Sequence, residues 1–153
     1  MKICFVCTGN YYRSRFAEAV FNFMASNSDL KISAESRGLN ISAADQLAEK
    51  HGELSLFTLD MLNKLSIDKS FTHDKRRRFS INDINKFDKF IFLDKEEHTS
   101  MLYKVKDIDN FDIKKKIVFW NVKDVFDWKP EKTLSTILLN VTNLFNSIVW
   151  KGV

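Results

Sequence analysis

Residues 3–24 read ICFVCTGNYYRSRFAEAVFNFM, and the change of pattern inside this stretch decides the fold. Ile3 to Val6 is a continuous apolar run of strand formers, as a central parallel strand buried on both faces requires. From Ser14 to about Ser26 the apolar residues Phe16, Val20, Phe23 and Met24 recur at i, i+4, i+7 and i+8, one face of an α-helix, and Ala17 and Ala19 add helix propensity. Strand, tight loop and helix follow one another. Asn27-Ser28-Asp29 breaks the helix, and Lys31 to Ser36 alternates as a second strand would, which completes a βαβ unit.

Working outward, Ser42 with Asp45 is placed to cap a short helix running through Gly52, and Thr58 with Met61, Leu62 and Leu65 suggests another. Ser80 and Asp83 repeat the capping pattern before Ile84. Phe87 to Leu93, FDKFIFL, reads as a third strand, followed by a helix over about Lys95 to Tyr103. Ile117 to Val122 is a fourth strand. Thr133 to Val149 carries a 3.6-residue apolar stripe through Leu134, Ile137, Leu138, Val141, Leu144, Phe145 and Ile148, the mark of a closing helix. This alternation predicts a three-layer α/β/α fold with a central four-stranded parallel sheet, whose ligands sit at the carboxyl ends of the strands.

The 153 residues suit a single domain, 1–153, with one core of ordinary size. With 44% hydrophobic and 29% charged residues a disordered chain is excluded, and 4 Gly and 1 Pro leave little for collagen-like or many-turned sandwich architectures. The net charge of +4 names no partner. No apolar run approaches the roughly 20 residues of a membrane span, and Met1-Lys2 leads into a short apolar stretch without the cleavage site of a signal peptide, so a cytoplasmic protein with reduced Cys4 and Cys7 is expected.

The chemistry gathers in the loop Cys7-Thr8-Gly9-Asn10-Tyr11-Tyr12-Arg13-Ser14. Between a strand and a helix N-terminus its backbone N–H groups can curl into a nest that suits an anion, and the helix adds positive potential. Cys7 stands at its mouth, where the same field favours the nucleophilic thiolate. Arg13, six residues on, has a planar fork able to hold two phosphoryl oxygens, and Ser14 can donate its hydroxyl to the sulfur. Gly9 and Asn10 are the types that best tolerate left-handed backbone. A lone cysteine after a buried strand is by default a small hydrophobe; a Cys-x5-Arg-Ser string at a strand–loop–helix junction is not the company such a residue keeps.

The segment VCTGNYYRSRFAEAVF resembles the active-site segment of the low-molecular-weight protein-tyrosine phosphatase family, which includes thioredoxin-coupled arsenate reductases and bacterial arginine phosphatases. Ser36-Arg37-Gly38, Thr72-His73 with the basic residues after it, and FIFLDKEEHTSML resemble further family segments. The resemblance implies a cysteinyl-phosphate intermediate on Cys7, with Arg13 and the loop residues Thr8, Gly9, Asn10, Tyr11, Tyr12 and Ser14 around the phosphoryl group. It also implies an aspartate general acid on a late loop. In WNVKDVFDW, Asp124 matches by position, although Val125 replaces the usual proline, and Asp127 is the alternative. Tyr12 replaces the second loop cysteine common in the family, Arg15 replaces a proline, and Tyr11 is neither the small hydroxyl residue associated with phosphoarginine nor the aliphatic one associated with phosphotyrosine.

The expected activity is therefore phosphomonoester hydrolysis, with phosphotyrosine in proteins as the foremost substrate and phosphate as product. No cofactor and no metal is implied, since His51, His73 and His98 share no ligand spacing. Arsenate reduction is an alternative, but the resembling reductases relay oxidation through two further cysteines and no cysteine follows Cys7. A phosphate-binding module with decayed turnover is another. Phe126 and Trp128 offer an apolar wall beside the pocket, or belong to the core. The runs Lys75-Arg76-Arg77-Arg78 and Lys114-Lys115-Lys116 lack interleaved stacking aromatics and read as solvated faces, not as a nucleic-acid site.

Overall fold

A computed structural model describes residues 1–151. Its sheet contains β1 (Lys2–Cys7), β2 (Ser33–Gly38), β3 (Lys89–Phe92) and β4 (Ile117–Phe119) in the order β2-β1-β3-β4, all parallel. The helices are α1 (Arg13–Ser26), α2 (Asp45–His51), α3 (Leu56–Lys64), α4 (Lys95–Tyr103) and α5 (Pro130–Lys151). The three-layer α/β fold read from the alternation is the one observed.

The pleat of β1 explains its unbroken apolar sequence. Ile3, Phe5 and Cys7 face a layer formed with α1 and α5, while Cys4 and Val6 face a second layer with Phe79, Ile84, Leu102 and Ile108. β3 divides in the same way, Ile91 to the first layer and Phe90 and Phe92 to the second. Much of the phenylalanine content goes to that second layer, where Phe79 packs edge-on against Phe90 and Phe92, and Phe87 against Phe90. Each such ring contributes on the order of 2–3 kcal/mol by burial alone.

Several element boundaries differ from the sequence reading: β2 runs Ser33–Gly38 and not from Lys31 to Ser36, β3 runs Lys89–Phe92 and not from Phe87 to Leu93, and α2 stops at His51, with Ser42 bonded to Asn40 and not capping it. β4 ends at Phe119 and not at Val122, because its partner β3 stops at Phe92 and the ladder has nothing further to pair with. Trp120 and Val122 still donate to the Phe92 and Leu93 carbonyls at 2.8 Å each, so the chain leaves the sheet toward the carboxyl ends of the strands. α5 begins at Pro130, ahead of the apolar stripe. A proline at the first helical position costs nothing, since its fixed φ suits a helix and its missing N–H would have had no partner there.

The same end of the sheet collects the loop after β1, the N-terminus of α1, the N-terminus of α4 and the segment after β4. Cys7, the last residue of β1, lies opposite Gly38, the last of β2. A Cβ at Gly38 would stand 2.8 Å from both the Asn10 nitrogen and the Thr8 oxygen, so only glycine lets the loop rest on the strand beside it. No helix among the described residues is long and apolar enough to cross a membrane.

Candidate active site

An accounting of backbone groups shows what the loop after β1 is built for. The Cys7 and Thr8 carbonyls accept from Leu39 and Asn40 N–H at 2.9 and 2.8 Å. The Asn10 carbonyl accepts from Arg15 Nη1 at 3.4 Å, Tyr11 from Ser55 N–H at 3.0 Å, and Tyr12 from Phe16 N–H at 3.1 Å and the Thr58 hydroxyl at 3.0 Å. These carbonyls are turned to the surrounding protein, and in a trans peptide the N–H of the next residue points the opposite way. Among the described residues no protein group accepts from the N–H groups of residues 8–14. They form a nest of N–H groups without a protein acceptor at the start of α1, with Cys7 beside it.

The side-chain network under the nest has its donors and acceptors fixed by one backbone group. Arg77 N–H donates to Asn10 Oδ1 at 2.8 Å, which makes Nδ2 the end that faces Ser14 Oγ and Ser36 Oγ, both at 2.9 Å. Ser14 Oγ therefore accepts from Asn10, and also from the Cys7 thiol 2.9 Å away. Ser36 passes its hydrogen to Glu18 Oε2 at 3.0 Å. His73 completes the ring: its Nε2 donates to Asn10 Oδ1 at 3.1 Å, and its Nδ1 lies 2.9 Å from Glu18 Oε1. Asn10 sits at φ 49°, the left-handed region. Gly9, expected to share that conformation, does not; its lack of a side chain serves packing, since a Cβ there would lie 3.1 Å from that of Ala44.

Arg13 is buried at the N-terminus of α1 and its fork is divided among three acceptors. Nη1 donates to the Val122 carbonyl at 2.9 Å, and Nη2 to Glu97 Oε2 at 2.6 Å and Asp124 Oδ2 at 3.3 Å. Burial works against the charged form of Arg13, yet the charges of Cys7, Glu97 and Asp124 outweigh it and raise its pKa. Asp124 is fixed from its other oxygen by the Val125 N–H at 2.7 Å. Asp127, the alternative acid, is exposed to solvent. Glu97 also accepts from the Thr8 hydroxyl and lies 2.8 Å from His98 Nε2. Burial pushes its pKa up, but the hydrogen bonds from His98, Arg13 and Thr8 and the Arg13 charge prevail and hold the carboxyl well below its usual range.

The two loop tyrosines give the nest their backbone and the core their rings. Tyr11 reaches toward the Leu47 carbonyl at 3.5 Å, and Tyr12 packs near Phe57. The Tyr12 hydroxyl faces Thr133 without a well-aligned hydrogen bond, and burial pushes its pKa up to about 12. Arg15 is 1% exposed and ties the loop to its surroundings through Thr72 Oγ1 at 2.6 Å, the Glu53 carbonyl at 3.1 Å, and the His73 carbonyl. Phe126 and Trp128 part company: Trp128 joins the α1–α5 layer and lies under Lys132, whereas Phe126, on the same loop as Asp124, is 94% exposed. Cys4 is buried in the second layer, on the sheet face opposite Cys7, and burial pushes its thiol pKa well up. In the basic run, Arg76 pairs with Glu53 and Asp45, both at 2.9 Å, and Arg77 with Glu35 at 2.8 Å.

Glu18 and Glu97 were not singled out from sequence, Ser36 entered only as part of a family-like segment, and Arg15 only as a replacement. Glu97 left a signal: an acidic residue in the first turn after β3 must come to the same end of a parallel sheet as the loop after β1.

Comparison with known proteins agrees with this fold. Residues 2–150 match the family model "Low molecular weight phosphotyrosine protein phosphatase". Among curated proteins none matches the sequence. Among solved structures, YfkJ from Bacillus subtilis superposes with a TM-score of 0.77 at 24% identity, covering 99% of this chain and 96% of its own. SP-PTP, a low molecular weight protein tyrosine phosphatase from Streptococcus pyogenes, gives 0.72 at 22% identity over 95% and 91%. The YwlE arginine phosphatase gives 0.73 at 17% over 97% and 95%, and YwlE is a Bacillus subtilis protein. At these identities the structures show a shared fold.

Proposed function

Because the chain belongs to the low molecular weight phosphotyrosine protein phosphatase family, we propose that it is a cysteine-dependent phosphomonoesterase, with Cys7 as nucleophile and phosphotyrosine in proteins as its foremost substrate. The observation that carries this reading is the nest of N–H groups without a protein acceptor, with a sulfur beside it and Arg13 at its edge. In the first step the Cys7 thiolate attacks phosphorus while the nest and Arg13 hold the equatorial oxygens, and Asp124 gives its proton to the departing phenoxide. The products are the free tyrosine side chain and a phosphorylated Cys7. In the second step the Asp124 carboxylate takes a proton from water, which attacks phosphorus and releases phosphate. The Ser14 hydroxyl donates to the sulfur as it leaves with its negative charge.

Asp124 is preferred over Asp127 because its carboxylate stands 3.3 Å from Arg13 Nη2. The exposed Phe126 ring, two residues on, favours an aromatic leaving group over phosphoarginine, since it offers a face on which such a group stacks. The proposed setting is cytoplasmic, where reducing conditions keep Cys7 a thiol. A pure binding module is disfavoured by the carboxylates on Arg13, which repel a dianion unless protonated. Arsenate reduction is disfavoured by the lack of any cysteine after Cys7.

Hydrolysis of p-nitrophenyl phosphate by the wild type, abolished in Cys7→Ser and Arg13→Ala, tests the reading; undiminished turnover in Cys7→Ser ends it. Asp124→Ala is expected to slow alkyl phosphates more than aryl phosphates with good leaving groups. An equal loss in Asp127→Ala with none in Asp124→Ala reassigns the acid.

A further inference from the structure

Glu97 does more at the nest than the fold requires. It sits in the first turn of α4, where Glu96 already supplies a negative charge to the helix N-terminus. Its side chain turns away from that role: Oε2 takes Arg13 Nη2 at 2.6 Å, His98 Nε2 at 2.8 Å and the Thr8 hydroxyl. The donors are unambiguous. Asp94 N–H donates to His98 Nδ1 at 3.1 Å, so the ring proton is on Nε2 and points at Glu97. Thr8 is the residue after Cys7, and Arg13 closes the same loop, so one carboxylate oxygen clasps both ends of the proposed phosphate cradle.

The clasp competes with an anion for Arg13. Nη1 is spent on the Val122 carbonyl, and Nη2 is shared between Glu97 and Asp124. A phosphoryl group held by two parallel N–H groups must take a share of Nη2. It also arrives beside carboxylates at Glu97 and Asp124. Lys123 of the late loop does not offset them, since it is taken up by Asp94 at 3.1 Å and Glu96 at 2.9 Å.

We propose that Glu97 is a positioning residue that sets the anion affinity of the cradle: it holds Arg13 in place and, by contending for Nη2, keeps phosphate loosely bound. The inference rests on reading the Cys7 loop as a phosphate site, and it assigns that site a built-in limit on product retention. A phosphatase whose product is its own competitive inhibitor turns over faster at a given phosphate concentration when that product is held weakly.

The test is the affinity for inorganic phosphate, measured by calorimetry and as a competitive inhibition constant, in the wild type, Glu97→Gln and Glu97→Asp. Glutamine keeps an oxygen for Arg13 and removes the charge, so phosphate is expected to bind about tenfold tighter, a scale set by one partly exposed like charge beside the anion. KM is expected to fall with it. Aspartate keeps the charge and is expected to bind phosphate within about threefold of the wild type. Because Arg13 and its other donors keep Glu97 ionised, the gap between Glu97→Gln and the wild type is expected to hold from about pH 5 to 8. If Glu97→Gln does not fold, Glu97→Asn, which also keeps an amide oxygen without the charge, carries the same expectation. Phosphate binding that is unchanged or weaker in the charge-free variant overturns the inference. The parallel aryl phosphate assay with Cys7→Ser reports on the phosphatase reading separately: hydrolysis lost in Cys7→Ser together with phosphate affinity unmoved by Glu97→Gln removes this inference and leaves that reading standing.

Discussion

Replacing Asn10 by alanine breaks the network at the residue that orients it. Its amide makes four contacts, to Ser14 and Ser36 from Nδ2 and from His73 and Arg77 to Oδ1, all between 2.8 and 3.1 Å. At roughly 0.5–1.5 kcal/mol each the bonds total about 2–6 kcal/mol, with the partly buried His73 and Arg77 donors left unpaired. Alanine at φ 49° adds about 1 kcal/mol, which asparagine avoids better than most residues. The expected loss of stability is about 3–5 kcal/mol, a fall of about 2 M in the urea midpoint for an m-value near 2 kcal/mol/M. Asn10→Gly deletes the same bonds without the backbone penalty, so it should recover about 1 kcal/mol of the loss. Turnover should fall about a hundredfold in both, because Ser14 no longer has its hydroxyl fixed toward Cys7. Equilibrium urea unfolding followed by fluorescence and circular dichroism decides the matter. A cost below about 1 kcal/mol in Asn10→Ala would show that the amide orients nothing and that the left-handed turn is held by the backbone alone.

Other perturbations separate the roles of neighbouring groups. Phe126→Ala should leave stability within about 0.5 kcal/mol, since the ring is 94% exposed, while raising KM for aryl phosphates about fivefold and leaving alkyl phosphates unchanged; equal effects on both substrate classes refute the stacking role. Arg15→Pro keeps the first turn of α1, where position 15 has no intrahelical acceptor for its N–H, and removes the guanidinium bonds to Thr72, His73 and Glu53, so about 2–4 kcal/mol of stability should go. A loss under 0.5 kcal/mol would mean that the buried cation contributes nothing net. Glu97, held below its ordinary value of 4.5, binds fewer protons folded than unfolded. Its contribution is thus complete above that value and drains away as pH falls, so acid unfolding of the wild type should gain on that of Glu97→Gln below about pH 4.5. Parallel acid limbs for the two proteins would contradict this.

The parts of the site that could be read in advance are those whose chemistry is consecutive. Cys7, Arg13 and Ser14 fall within eight residues because a nest at a helix N-terminus is a local object, and the switch of period from strand to helix marks where it must lie. Asp124 was placed by family likeness, since nothing in an aspartate on a loop distinguishes a proton donor from a turn former. Ser36, Glu18 and His73 could not be joined to Asn10 from sequence: their meeting depends on the β1–β2 register and on the return of the 72–79 segment beside Gly38. Tyr11 and Tyr12 belong to the loop by sequence, but a loop whose carbonyls turn outward can send its rings outward too, and both rings lie in the core.

The placement of Cys4 bears on how the protein fares under peroxide. Cys4 and Cys7 are three steps apart on one strand and belong to opposite layers of the sheet. In extended chain that is about 10 Å between Cα atoms, beyond the roughly 7 Å that a disulfide can span, and the side chains leave in opposite directions. A Cys7 sulfenic acid therefore has no thiol in this sequence on which to close. Small thiols arriving through the open nest are its route back to the reduced form. When they are scarce, the sulfur is expected to climb to the sulfinic state, from which no thiol brings it back.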